Sequence, residues 1–260
     1  MQVEGGQARR GWPWGGALGL VLLLQSACTP TRFVAPPSLD SGLALSEAEQ
    51  AVAQVGRRAV ISIFYEYGEG QSGGRRSGSG FLVEPRLVLT DYHVMGGKPR
   101  YLTLLGPDGR EGPLGRLDTI SEAYDLAVIT LAEDWPVPRL PLAARVVPGS
   151  RGVALAGRWV RTECSRHTAM IEVRTVALAR ASRQGWPTEL LLLPPTHVCR
   201  GFSGGPVLNM QGEVIGVVRA LLRVNSAEKG TAGAATGDWV AATSVRHVHE
   251  ALAALRQRPR

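Results

Sequence analysis

The chain is predicted to be all-β, built as two packed six-stranded antiparallel β-barrels with a short helix at each end. Three observations carry this expectation. Short β-type runs recur at close spacing between turns such as Gly106-Pro107-Asp108-Gly109, the pattern of an antiparallel barrel rather than of strands alternating with helices. The runs fall into two series of six, divided by Pro136, Pro138 and Pro141. At 260 residues, with 44% hydrophobic and 20% charged side chains, the chain can bury a substantial core without help from disulfides.

In chain order, Arg9 and Arg10 precede an apolar run from Ala17 to Leu24 that is too short to span a bilayer, so residues 1–27 read as an export signal. Gln25-Ser26-Ala27-Cys28 closes it with small residues directly before a cysteine, similar to the lipidation box of bacterial lipoproteins. Cys28 is the expected lipidation site, and Gln25 is the departure from the usual pattern. The chain is therefore expected to be exported, held at the membrane of the cell envelope by a lipid on Cys28 or else secreted. Residues 28–44, with Pro30, Pro36 and Pro37, read as an extended tether. The folded domain is expected over 45–260.

Ser46 and Glu49 form a capping-box signature that opens a helix over 47–56, with Ala48, Ala51, Val52 and Val55 sharing a face. The first barrel, about 58–135, begins with the strand Val60 to Tyr65. A glycine- and arginine-rich loop is expected over 68–78, and strands follow at 80–84, 86–90, 100–105, 114–119 and 125–131. The second barrel, about 142–243, draws on 152–156, 169–179, 188–193, 206–209, 213–222 and 238–242, with a Gly/Ala/Ser/Thr-rich loop over 223–237. Thr243 or Ser244 caps a last helix over 245–256.

The net charge of +7 comes almost entirely from arginine, because Lys98 and Lys229 are the only lysines. No basic block of the kind that grips nucleic acid stands out, so no nucleic-acid partner is expected. The histidines and cysteines lack metal-ligand spacing, so neither a metal nor another cofactor is implied. Besides Cys28, only Cys164 and Cys199 are present. In an exported chain these two either pair or remain buried thiols, and spacing leaves both open.

Three blocks carry chemistry: Thr90-Asp91-Tyr92-His93, then Tyr124-Asp125-Leu126-Ala127-Val128, then Gly201-Phe202-Ser203-Gly204-Gly205-Pro206. A serine hydroxyl is a poor nucleophile until an imidazole takes its proton and a carboxylate fixes the imidazole tautomer. His93, Asp125 and Ser203 supply these three groups. Glycines beside the serine let backbone N–H groups converge where an oxyanion would form. The order His, Asp, Ser is one of three that reach this geometry on unrelated folds.

With Gly78-Ser79-Gly80-Phe81-Leu82-Val83 before the histidine and Gly212-Glu213-Val214-Ile215-Gly216 after the serine, the blocks resemble the trypsin-like, chymotrypsin-fold serine peptidases, nearest to the bacterial Htr/Deg branch. The resemblance implies His93 as general base, Asp125 as its orienting carboxylate and Ser203 as nucleophile, with the N–H groups of Gly201 and Ser203 as oxyanion donors. It implies protein or peptide substrates and a pocket for the residue before the cut bond. One wall would be His197, Val198, Cys199 and Arg200, the other Val217, Val218, Arg219 and Ala220. Those walls hold no acidic residue to select Arg or Lys, so aliphatic or small side chains are expected. The chain ends soon after the last helix, so the PDZ module of many Htr/Deg proteins is not expected.

Family members usually carry Asp or Asn where this chain has Phe202. The ring either anchors the loop or holds the oxyanion site in an inactive shape, and the second outcome keeps open a catalytically inactive peptidase-fold binding protein at the cell envelope. Gly201 to Gly205 also fits the Gly-x-Ser-x-Gly elbow of esterases, with Asp238 and His247 downstream. That reading fails because an elbow needs a helix after the serine, and Gly204-Gly205-Pro206 breaks one.

Overall fold

Ser46 and Glu49 open the first helix, α1 (Glu47–Arg57), as a reciprocal cap: the Ser46 N–H donates to Glu49 Oε2 at 2.8 Å, and the Glu49 N–H to Ser46 Oγ at 3.4 Å. The structure, a computed structural model, describes residues 45–67, 74–95, 101–162, 167–172, 174–177, 189–193, 198–224 and 237–257. The expected export signal, the tether and Cys28 lie outside the described residues.

The face that α1 buries differs from the expected one. Glu49, Val52, Ala53 and Gly56 face inward, while Ala48, Ala51 and Val55 are exposed. Two contacts turn the helix. Buried Glu49 pairs with Arg151, and the missing side chain of Gly56 admits Leu155 and Leu208, since a Cβ there would lie 2.2 Å from Leu155 Cδ1.

The first sheet comprises β1 (Val60–Tyr67), β2 (Gly74–Glu84), β3 (Leu87–Asp91), β4 (Tyr101–Leu105), β5 (Gly115–Ser121) and β6 (Leu126–Leu131), in the order β4-β1-β2-β3-β6-β5. All its pairings are antiparallel. Residues 74–78, expected in a loop, are strand. They complete the ladder with β1 from Val60↔Phe81 to Tyr67↔Gly74, so backbone pairing overrides the glycine-rich composition.

The second sheet holds β7 (Arg151–Leu155), β8 (Thr168–Glu172), β9 (Arg174–Ala177), β10 (Glu189–Leu193), β11 (Pro206–Asn209), β12 (Val214–Val224) and β13 (Gly237–Ser244), in the order β8-β7-β11-β12-β13-β10-β9. Its two ends, β8 and β9, are separated in sequence only by residue 173. The sheet thus returns to its own start, and seven ladder segments make the six-stranded barrel expected from the sequence. Helix α3 (Val245–Arg256) follows, capped by Ser244, whose Oγ accepts from the Arg246 N–H.

Three apolar clusters organise the domain. Ile61, Ile63, Leu82, Ala127 and Ile129 fill the first barrel, and Ala154, Leu191, Phe202, Val207 and Val218 fill the second. A third joins α1 (Val52), α3 (Val248, Leu252) and strands of both sheets (Phe81, Leu126, Val128, Leu155, Val217). Strand β6 sends Leu126 and Val128 to the shared cluster and Ala127 and Ile129 to the barrel interior. Burial of both faces explains its unbroken apolar run.

Candidate active site

Strand β3 leads directly into a one-turn helix, α2 (Tyr92–Met95), which brings His93 to the rim of a cleft with its side chain 45% exposed. Asp125 arrives from the turn between β5 and β6. Its φ is 53°, a left-handed conformation that aspartate tolerates better than most residues, and its N–H donates to the Glu122 carbonyl at 3.0 Å. The turn is braced from the second barrel: Thr243 Oγ1 donates to the Tyr124 carbonyl at 2.8 Å, and the Tyr124 ring stacks on His247 at 4.4 Å between centroids.

These supports make one grip on the histidine. Asp125 Oδ1 accepts from the His93 backbone N–H at 2.7 Å, and Oδ2 lies 2.6 Å from His93 Nδ1. An ionised Asp125 can only accept, so the proton sits on Nδ1 and Nε2 is left as a base.

Behind this pair lie two buried ionisable residues, Asp91 and Arg219. Arg219 Nε is 3.1 Å from Asp125 Oδ2, and Asp91 Oδ2 is 3.8 Å from His93 Nδ1. Burial, and then the charge of Asp125, push the Asp91 carboxyl well above the usual carboxylate range, against the pull of the Gly204 N–H and Arg219. Burial also lowers the Arg219 guanidinium from its ordinary value, opposed by both aspartates. Asp125 and Arg219 form the compensating pair.

The serine loop is pinned on both sides. The Ser79 N–H donates to the Ser203 carbonyl at 2.8 Å, and Ser79 Oγ donates to the Gly201 carbonyl at 2.8 Å while accepting from the Gly157 N–H at 2.9 Å. Gly204, at φ 79°, donates to Asp91 Oδ2 at 2.8 Å and to the Val218 carbonyl at 2.9 Å. A Cβ on Gly204 would lie 2.2 Å from the Ser79 carbonyl oxygen, so only glycine fits. Phe202 is fully buried in the second-barrel core, which makes it an anchor of the loop.

Ser203 Oγ donates to the Arg219 carbonyl at 3.1 Å, and no bond to His93 is formed. Among the described residues nothing accepts from the N–H of Gly201 or of Ser203. Ser203, Gly201 and His93 line one cleft of about 990 Å³.

The other expected site residues are dispersed. Arg200 lines the cleft, whereas Val198 and Val218 belong to the second-barrel core and Val217 to the cluster shared by both sheets. Arg219 turns toward Asp125. Cys199 is disulfide-bonded. Cys164, His197 and the side chain of Ala220 lie outside what the structure describes.

Asp91, His93 and Asp125 offer three ligand atoms within 4.8 Å of one another. His93 Nδ1, Asp125 Oδ2 and Asp91 Oδ2 already have partners, and the Arg219 guanidinium beside Asp125 would oppose a cation there. Asp91, Arg219 as a partner of Asp125, and Ser79 are the site residues that sequence reasoning passed over. The one signal was a lone arginine inside the apolar run Val214 to Leu222.

The trypsin-like peptidase domain profile matches residues 78–217, more than half the chain. Mitochondrial serine protease HTRA2 of Drosophila willistoni is 28% identical over 162 residues, covering 59% of this chain and 35% of the relative. HhoB of Synechocystis sp. is 33% identical over 151 residues, covering 56% of this chain and 34% of the relative. The chain thus matches about a third of the length of these curated relatives. The active form of the M. tuberculosis protease Rv3671c superposes with a TM-score of 0.59 at 20% identity, covering 84% of this chain and 86% of that one, which establishes the chymotrypsin-like fold. With the match spanning the His93, Asp125 and Ser203 blocks, this chain belongs to the trypsin-like peptidase family.

Proposed function

We propose that the protein is an exported serine endopeptidase working through His93, Asp125 and Ser203. The observation that carries this reading is the 2.6 Å contact of Asp125 Oδ2 with His93 Nδ1, which leaves Nε2 unprotonated in a cleft it shares with Ser203. For the reaction, Ser203 Oγ turns from the Arg219 carbonyl to His93 Nε2. Its proton passes to Nε2 as Oγ attacks the substrate carbonyl carbon, and the N–H groups of Gly201 and Ser203 receive the oxyanion. His93 then gives that proton to the departing amine, leaving an acyl ester on Ser203. Water, deprotonated by His93, attacks the ester; the acid is released and Ser203 regains its proton.

The reading extends beyond the described residues: export through residues 1–27, a lipid on Cys28 at the periplasmic face of the envelope, and a Cys164–Cys199 bridge holding the segment before the nucleophile. Mass spectrometry of the membrane-extracted protein tests the lipid, and non-reducing peptide mapping tests the bridge.

A second reading, an inactive binding protein on the same fold, draws on the bond from Ser203 Oγ to the Arg219 carbonyl. One experiment separates the two. Fluorophosphonate labelling of the full-length chain, abolished by Ser203→Ala and by His93→Ala, is the expected result. A folded parent that takes up no label would favour the binding protein.

A further inference from the structure

The cleft around Ser203 is strongly basic. Among the described residues that line it, four are arginine, namely Arg75, Arg76, Arg161 and Arg200, and none is acidic. Arg75 and Arg76 come from the start of β2, the stretch expected to be loop, and the ladder with β1 fixes them at the cleft edge opposite Glu66 and Tyr65.

A second observation singles out one part of the cleft. The side chain of Tyr65 lines it, yet its hydroxyl is buried and has no hydrogen-bond partner. Leaving such a group unsatisfied is costly unless a ligand completes it. Burial pushes the Tyr65 phenol up, Arg76 draws it back down, and the Arg76 guanidinium lies 4.7 Å over the Tyr67 ring. A phenol and a guanidinium side by side suit a carboxylate, which accepts from both. Arg75 is 86% exposed and keeps one contact to Glu66 at 2.6 Å, so part of its fork still faces outward.

The position fixes which part of a substrate would be read. The strand carrying these arginines continues into Gly78, whose neighbours are Val94 and the Ser203 carbonyl. That is the His93 side of the nucleophile, where the amine half of the peptide departs.

Resting on the peptidase reading, we propose that this cleft selects polypeptides with Asp or Glu in the first few positions downstream of the cut bond, received by Tyr65, Arg75 and Arg76, with Arg161 and Arg200 adding to the field.

Two measurements on the full-length chain test this. The first is independent of catalysis: binding of two fluorescent peptides to the Ser203→Ala protein, one with Glu-Asp-Glu downstream of the central bond and one with Gln-Asn-Gln. The acidic peptide is expected to bind about tenfold tighter at about 50 mM salt, with the difference shrinking as salt rises. Arg75→Gln/Arg76→Gln should bring the ratio close to one, and Tyr65→Phe should lower it without lowering the melting temperature. Arg110→Gln/Arg139→Gln, which removes the same charge elsewhere, should leave it unchanged. Equal affinities, an equal loss in that control, or equal competition by single-stranded RNA or anionic vesicles would overturn the proposal.

The second is cleavage-site profiling of the parent on proteome-derived peptides, expected to show Asp and Glu enriched in the first three downstream positions. Fluorophosphonate labelling without that enrichment sinks the acidic preference and leaves the peptidase standing. Absence of labelling sinks the peptidase, and the binding ratio still decides the acidic cleft.

Discussion

Arg219 Nε lies 3.1 Å from Oδ2 of Asp125, the same oxygen that faces His93 Nδ1 at 2.6 Å. The carbonyl of Arg219 meanwhile holds the hydroxyl of Ser203. One residue of β12 thus touches two members of the site, from positions buried away from water. A buried carboxylate left without its cation is expensive. Arg219→Ala is expected to destabilise the domain by about 3–5 kcal/mol. Arg219→Lys, which keeps the charge but not the planar fork, should recover part of that loss. Urea unfolding with intrinsic fluorescence reads both, and equal stability of all three proteins would show that the pair carries no weight.

Asp125→Asn retains the shape of the side chain but can present an N–H to His93 Nδ1, which favours the unproductive tautomer. The fluorophosphonate labelling rate per folded molecule should fall on the order of 10⁴-fold. A rate within about tenfold of the parent would remove Asp125 from the mechanism.

Asp91 predicts a dependence on pH. Its folded value is raised well above the usual carboxylate range, so its contribution to stability is fully present below the carboxylate range of the unfolded chain and is lost as pH rises through the folded value. Asp91→Asn does not titrate, and its amide oxygen still accepts from the Gly204 N–H. The stability of the variant relative to the parent should therefore rise with pH above about 4, read as melting temperature across the pH series. A difference that stays constant with pH would contradict the raised value.

Phe202 fills the second-barrel core directly beside the nucleophile. Phe202→Ala should cost about 3–5 kcal/mol, whereas Phe202→Leu, which keeps most of the volume, should cost far less. Because the ring anchors the loop that aims the Gly201 and Ser203 N–H groups, labelling should fall more in the alanine variant than the loss of folded protein explains. Parallel losses of label and folded fraction would show that the ring serves packing alone.

Much of the architecture could be read from residue pattern because the signals were local. The Ser46/Glu49 cap, the apolar strand of β6 and the Pro206–Asn209 strand between glycine turns each state their conformation within a few residues. Where an element depended on a distant partner, the pattern misled. Residues 74–78 have the composition of a loop, but five consecutive pairs with β1 make the segment a strand. The face of α1 went wrong for a related reason, because Glu49 is buried against Arg151 of β7 and Gly56 against Leu155 and Leu208.

The sequence by itself determined the family, the order His93, Asp125, Ser203 and the two series of six strands. Motifs and periodicities are properties of neighbours along the chain. Only the tertiary structure decided what lies around those three residues: Asp91 buried beside His93, Arg219 turned from the expected pocket wall to Asp125, and Tyr65 beside Arg76 at the cleft edge. Arg219 reaches Asp125 from the other sheet, Tyr65 meets Arg76 across neighbouring strands, and Asp91 is held against the serine loop by the Gly204 N–H. Their chemistry comes from burial and from distances of a few ångströms, and neither exists until the two sheets have closed on each other.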